Sequence, residues 1–561
     1  MRRMHRFCRM LLIWMLVCLP GFSPALADTG NVEIQCEIPG HQYRLYQIFS
    51  GHMDSQGMLT NPGWGSGFDE AGLIRGIQEF AYYMYTANNT RPEPIRAVIG
   101  TSRKIDTSIV VTPASAAAAM DYIAAHRVIG ESTWCAELWK ALKGAASGGI
   151  SMTYDAERKL YVSGPVPAGF YVITDTVAST DTTDLQADIT RVMTVGDSQT
   201  VQAIFKNELP TVKKDVYATA TESLPPVHGG SWTEGASFST GDSVWFRLEG
   251  FRSTYIDGFE EYTLSFHDTL PSGMTFEAAD SERQVYVYYG DTPESPNWRL
   301  MTEAQYTVQA DSGSVHVSIP IVTDGKKVKP YQSCHYFRVL YRATLNTQAV
   351  TGTAGNVNTV YGEYSNDPTN AGTGRTAPDT AVAYTFGVCV KKTDESGNPL
   401  GGAAFALERY NAGTAQYEAV GSLPGDGATL TEFRFTGLGA GIYRLTETSA
   451  PPGYNQLEAP ICFEIRPVME NGLCTRVVFE KTGDSTSGSQ NQQAAGETVS
   501  FTVSQGIGET TIVNRAGAVL PSTGGPGTRM FILAGAGLMV VSALLLQAMV
   551  FSPKREKRRH K

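Results

Sequence analysis

Residues 390–407 read VKKTDESGNPLGGAAFAL. Just before and into this stretch, Phe386, Val388, Val390 and Lys392 fall at alternate positions. On a β-strand such residues project from one face, so Lys392 ends an otherwise apolar, inward row. Farther on, Tyr443, Leu445 and Glu447 alternate inward in GIYRLTETSAPPGY. The final strand-like segment ends Thr511-Ile512-Val513-Asn514. A lysine and a glutamate thus each sit in an inward row on separate strands, and an asparagine ends the last strand.

Burial among apolar side chains lowers a lysine pKa and raises that of a carboxyl group. A neutral amine attacks a carboxamide, and a protonated acid moves the protons as ammonia leaves. A dry pocket strengthens each of these interactions. The segment 390–407 closely resembles the first strands of CnaB modules, the B-type repeats of collagen adhesins and pilins. GIYRLTETSAPPGY resembles the acidic box of that family. The resemblance implies an intramolecular isopeptide bond between Lys392 and Asn514, with Glu447 as the acid.

A second set lies upstream with different spacing. Val212, Lys214 and Val216 alternate in LPTVKKDV; Tyr262, Leu264, Phe266 and Asp268 alternate in EYTLSFHDTLPSGMTF. GNVNTVYGEYSNDP follows at 355–368. These segments resemble the CnaA-like isopeptide domain of fimbrial subunits. The resemblance implies Lys214 as nucleophile, Asp268 as proton shuttle, and Asn358 or its rival Asn366 as the carboxamide. Lys213 and Lys391 face outward. In the first domain GPVPAGFYVITD, ending at Asp175, looks like an acidic strand, but the opening Val32–Cys36 has no lysine. No bond is expected there.

The ends of the chain speak of export. Arg2, Arg3, His5, Arg6 and Arg9 precede an apolar run, Met10 to Phe22, and Ala25-Leu26-Ala27 is an A-x-A site. Residues 1–27 therefore read as a secretory signal peptide. Leu520-Pro521-Ser522-Thr523-Gly524 precedes an apolar stretch at 530–551 and a basic tail at 552–561. About twenty apolar residues are long enough to span a bilayer, and the cations beyond would hold the tail in the cytoplasm. In order, these parts resemble the cell-wall sorting signal of Gram-positive surface proteins. That resemblance implies cleavage between Thr523 and Gly524 by sortase, then transfer of the acyl group to an amine on peptidoglycan or another protein.

The formal net charge of −10 argues against nucleic acid as a partner. Recurrent turn residues between strand-like runs favour β-sandwiches. Six cysteines fall in the exported part, Cys36, Cys135, Cys334, Cys389, Cys462 and Cys474, with no zinc spacing. Their pairing is open; Cys36 and Cys135 share a domain. No cofactor or metal is expected, and no enzyme motif such as HExxH or a phosphate loop occurs.

The predicted organisation is an N-terminal domain at 28–207, a CnaA-like domain at 208–368, a linker at 369–380 (by composition, PTNAGTGRTAP), a CnaB-like domain at 381–515 and the sorting motif with its spacer at 516–529. The fold class is mainly β: tandem Ig-like β-sandwich domains, the first α+β through helical insertions at Glu70–Met84, Ser115–Arg127 and Trp134–Ala145. Strand-like pieces at Val32–Tyr46 and Leu160–Asp175 bracket those helices, and 481–497 reads as a polar low-complexity loop. Ile204-Phe205-Lys206 occupies the place where shaft pilins carry the lysine that accepts the next subunit, though without the usual Tyr-Pro-Lys triplet. The whole resembles a sortase-assembled pilin: a backbone subunit whose partners are sortase, identical subunits and peptidoglycan, outside the cell and anchored to its wall. The alternative expectation is a monomeric or minor (tip or base) anchored adhesin binding a host ligand.

Overall fold

A computed structural model describes residues 29–55, 58–85, 91–127, 129–177, 187, 190–204, 209–254, 256–294, 296–328, 334–368, 372–423, 430–483, 500–517 and 526–550. The signal peptide, Lys206, most of the 481–497 loop, the LPSTG motif and the basic tail lie outside these residues.

The first domain joins two small sheets to a helical layer. One sheet runs Thr153–Asp155, Leu160–Pro167, Thr29–Gln35, Thr200–Ile204; the other runs Leu59–Trp64, Arg44–Met53, Gly169–Thr174, Arg191–Val195. The expected strand at Val32–Tyr46 is two strands, because the turn at Pro39-Gly40 interrupts it. Val32, Ile34, Leu45, Tyr171 and Ile173 pack between the sheets. The helices are Glu70–Tyr85, Glu93–Ile99, Pro113–His126 and Glu131–Leu142. Leu73, Ile77 and Phe80, at helical spacing, pack on Trp134 and Leu138. Thr112 and Ser115 form a reciprocal capping box at the start of the third helix, and Pro113 fits its first turn. Sequence periodicity missed Glu93–Ile99, which is too short to show a repeat.

The second domain stacks a seven-stranded sheet on an eight-stranded one. The first sheet contains Thr211–Tyr217, Ser243–Phe251 and Tyr336–Leu345; the second contains Tyr262–Thr269, Ser314–Thr323 and Asn356–Ser365. Alternate residues such as Phe246, Leu248, Leu264, Phe266, Val339 and Tyr341 fill the space between them.

The third domain stacks Glu432–Leu438, Phe386–Thr393, Ile507–Val513 and Thr502–Ser504 on a five-stranded sheet from Gln416–Leu423 to Leu473–Lys481. Its first and last long strands run parallel, with Lys392 opposite Ile512.

The segment expected to link these domains is instead part of a sheet. Thr373–Arg375 and Asp379–Tyr384 both pair with Asn356–Ser365, so the second domain extends to Tyr384. Composition marked this stretch as a linker because Gly, Pro and Asn cluster there. Once the neighbouring strand supplies backbone partners, the short strands between those turns become ordered. Only Thr385 separates this last strand from Phe386, the first strand residue of the third domain.

A helix at Pro526–Val550 follows, with side chains described over 532–547 and exposed. Among the described residues no helix is long and apolar enough to cross a membrane. The expected span at 530–551 lies partly outside them.

Candidate functional site

Each of the second and third domains buries a lysine, an acid and an asparagine. In the second domain Lys214, Asp268 and Asn358 are fully buried. Lys214 is the second inward position of its strand, between Val212 and Val216, and Asp268 ends the apolar row Tyr262, Leu264, Phe266. Lys214 Nζ donates to Asp268 Oδ2. It also donates to Tyr341 Oη at 3.1 Å and lies 5.1 Å from the Phe246 ring centroid. Tyr341 Oη donates to Asp268 Oδ1 at 2.8 Å and accepts from Asn358 Nδ2 at 2.7 Å. Among the described residues Asn358 Oδ1 is buried without a hydrogen-bond partner.

Desolvation brings the Lys214 amine down to about 8, although Asp268 pulls the other way. The same desolvation pushes Asp268 upward against the pull of Lys214. The pair is therefore shifted toward a neutral amine beside a neutral acid. The backbone N–H of Lys214 donates to Asp379 Oδ2 at 2.7 Å, tying the domain's first strand to its last.

Strand register separates the two asparagines. Asp268 pairs with Val360, two residues from Asn358 on the same face. Leu264 pairs with Tyr364, so Asn366 lies beyond it, toward the other end of the strand. At about 3.3 Å per residue, that places Asn366 roughly 20 Å along the sheet from Asp268. The Asn366 backbone serves another purpose: its N–H donates to the Gly372 carbonyl and its carbonyl accepts from Ala187 N–H.

In the third domain Lys392, Glu447 and Asn514 are buried. Lys392 Nζ donates to the Ile512 carbonyl at 2.9 Å and stands 4.0 Å from Glu447 Oε1. Asn514 Nδ2 donates to that same Oε1 at 2.9 Å. Leu457 N–H holds Oε2 at 2.8 Å. Asn514 Oδ1 has no partner, and Asn514 N–H donates to the Thr393 carbonyl at 3.0 Å, fixing the asparagine one residue past Lys392.

The two sites differ in layout. Lys392 and Asn514 belong to adjacent strands of one sheet, and Glu447 reaches across from the other. Lys214 and Asn358 come from opposite sheets. Tyr341 had no sequence signal: it is one of two aromatics, with Phe337, in the apolar inward row of its strand. Lys213 and Lys391 face outward, and Lys391 pairs with Glu509 at 2.8 Å.

The first domain holds a different pair. Asp175 Oδ2 meets His41 Nδ1 at 2.5 Å and its Oδ1 accepts from Gln42 N–H at 2.9 Å, both side chains buried. Among the described residues Cys36, Cys135, Cys334, Cys389, Cys462 and Cys474 form no disulfide, so Cys36 and Cys135 are not joined. Cys135 is buried in the helical layer, where desolvation pushes its thiol up to about 12.

Three tandem domains, the last two β-sandwiches that each bury an amine, an acid and an amide, give this chain a fold similar to that of a solved Gram-positive backbone pilin. Residues 386–482 match the SpaA family, described as a prealbumin-like fold domain. A curated relative, the trypsin-resistant surface T6 protein of Streptococcus pyogenes serotype M6, is 25% identical over 232 residues, 36% of this chain. The match spans 42% of that relative's length. The solved T6 backbone pilin of serotype M6 S. pyogenes, whose structure is described as modular and three-domain, superposes with a TM-score of 0.50 at 15% identity. That superposition covers 88% of this chain and 100% of the pilin. The full-length major pilin SpaD of Corynebacterium diphtheriae gives 0.43 at 14% identity, covering 87% and 98%.

Proposed function

We propose that this chain is the backbone subunit of a pilus, exported, polymerised by sortase and anchored to the Gram-positive cell wall, with an isopeptide bond inside each of its last two domains. The observation behind this reading is the pair of buried Lys–acid–Asn sites on a fold of the backbone-pilin kind, between an export signal and LPSTG. In each site the lysine Nζ attacks the asparagine Cγ. The Cγ–Nδ2 bond breaks, one proton passes from Nζ to the departing nitrogen by way of the acid, and ammonia leaves. The Lys214–Asn358 and Lys392–Asn514 links then carry tension between strands without loading the hydrogen bonds in between. The fold is read as structural: the linking reaction happens once, within its own domain, and is not turnover.

Polymerisation would join Thr523 of one subunit to Lys206 of the next. A lysine amine of ordinary pKa near 10.4 must lose a proton to attack. Arginine keeps its charge at any relevant pH and does not attack. The test is a boiled, reducing gel of wall extract from cells with the cognate sortase. Wild type should give a covalent ladder; Lys206→Arg should reach the wall as monomer with both internal bonds intact. An unchanged ladder in the mutant removes Lys206 as acceptor. No ladder from wild type favours the monomeric or minor anchored adhesin.

A further inference from the structure

The acid of the third domain touches the amide it serves: Glu447 Oε1 accepts from Asn514 Nδ2. The second domain is built differently. Among the described residues Asp268 makes no hydrogen bond to Asn358; Tyr341 stands between them. We infer that Tyr341 is a catalytic proton relay for the Lys214–Asn358 bond, passing a proton from Asp268 to the nitrogen that leaves Asn358. This rests on reading the site as self-linking.

The geometry assigns each contact a step. Nζ of Lys214, as the free amine, attacks Cγ of Asn358, and the carbonyl electrons move onto its Oδ1. Once Nδ2 has become an amine with a free lone pair, the two hydrogen bonds through Tyr341 reverse: Asp268 gives the proton it holds from Oδ1 to Tyr341 Oη while Oη gives its own to Nδ2. The oxyanion collapses to a carbonyl, the Cγ–Nδ2 bond breaks and ammonia departs. Asp268 Oδ2, in contact with Nζ, then takes the surplus proton from the new amide nitrogen. The acid and the phenol both end as they began. Tyr341 is fully buried and its phenol is pushed well above its ordinary value by desolvation. It therefore stays neutral and moves protons without storing charge. Its ring is fixed against Phe246, with centroids 5.5 Å apart, so Oη is held in place.

The test uses the mature full-length chain, produced unfolded in inclusion bodies and refolded by dilution, with ammonia loss in each domain timed by peptide mass spectrometry. Tyr341→Phe keeps the ring and removes Oη. The second-domain bond should form about 100-fold more slowly or worse, the low end for a lost acid–base group. The third-domain bond should form at the wild-type rate. Equal second-domain rates in Tyr341→Phe and wild type overturn the relay. If the variant does not fold, the wild type decides. Two protons move in the second-domain relay and one in the direct third-domain transfer, so heavy water should slow the second-domain reaction more. Equal isotope effects overturn the proposal. Wild type that loses no ammonia from the second domain overturns the self-linking reading itself.

Discussion

Asn514 Nδ2 donates to Glu447 Oε1 at 2.9 Å, and the same oxygen lies 4.0 Å from Lys392 Nζ. One carboxyl oxygen thus faces both the attacking and the departing nitrogen. Glu447→Gln preserves much of the shape but has no acidic proton to deliver. The mature variant should fall short of its calculated mass by one ammonia, where the wild type falls short by two. In the chain-entropy account a cross-link closing a loop of about 100 residues contributes on the order of 4–5 kcal/mol. The third domain of the variant should therefore melt earlier by a corresponding margin in calorimetry. A variant short by two ammonias would remove Glu447 from the reaction.

Acidity sets the pace in the second domain. The Lys214 pKa is lowered to about 8, so its reactive neutral form grows as pH rises through that value. Asp268 is shifted upward by burial and must keep its proton to serve as acid. During refolding, the rate of ammonia loss from this domain should climb from pH 6 toward about 8 as the neutral amine accumulates, for as long as Asp268 keeps its proton. A rate that does not change over this range would contradict the assignment of the amine and acid.

Force should separate the two domains. The proposed Lys392–Asn514 link would join the first and last long strands, with almost all of the third domain inside it. The proposed second-domain link would end at Asn358, and Thr359 to Tyr384 follow it, including the strand Asp379–Tyr384. Pulled single molecules should show one extension event from that stretch, on the order of 80–90 Å at about 3.4 Å per residue. The third domain should show none of comparable size. Asn358→Ala should convert the second-domain event to full unfolding.

The joint between the last two domains depends on Gly437. Its φ is +71°, and a Cβ there would lie 2.1 Å from Thr240 Oγ1. The Thr240 N–H donates to the Gly437 carbonyl at 2.8 Å across the joint. Gly437→Val should cost about 1–3 kcal/mol through backbone strain and lost docking. Limited proteolysis near Thr385 should then become faster, while both ammonia losses persist.

Much of the chemistry was legible along the chain because strands alternate. A lysine, aspartate or glutamate within or ending an apolar row is placed inward by period alone, as Lys214, Asp268, Lys392 and Glu447 all are. The long helices were legible for the same reason, through a different period. What the sequence could not decide depended on which strands lie side by side. Asn358 lies on the strand Asn356–Ser365 and Asn366 just past its end, both buried, and only the register against Tyr262–Thr269 puts one beside Asp268 and the other far along the sheet. Tyr341 joins the site because its strand lies between Ser243–Phe251 and Tyr286–Gly290, a pairing no local pattern announces. The stretch composed like a linker became the second domain's edge because Asn356–Ser365 offered it backbone partners. Local periodicity sets which way a side chain points. Only the long-range pairing of strands sets what it meets there.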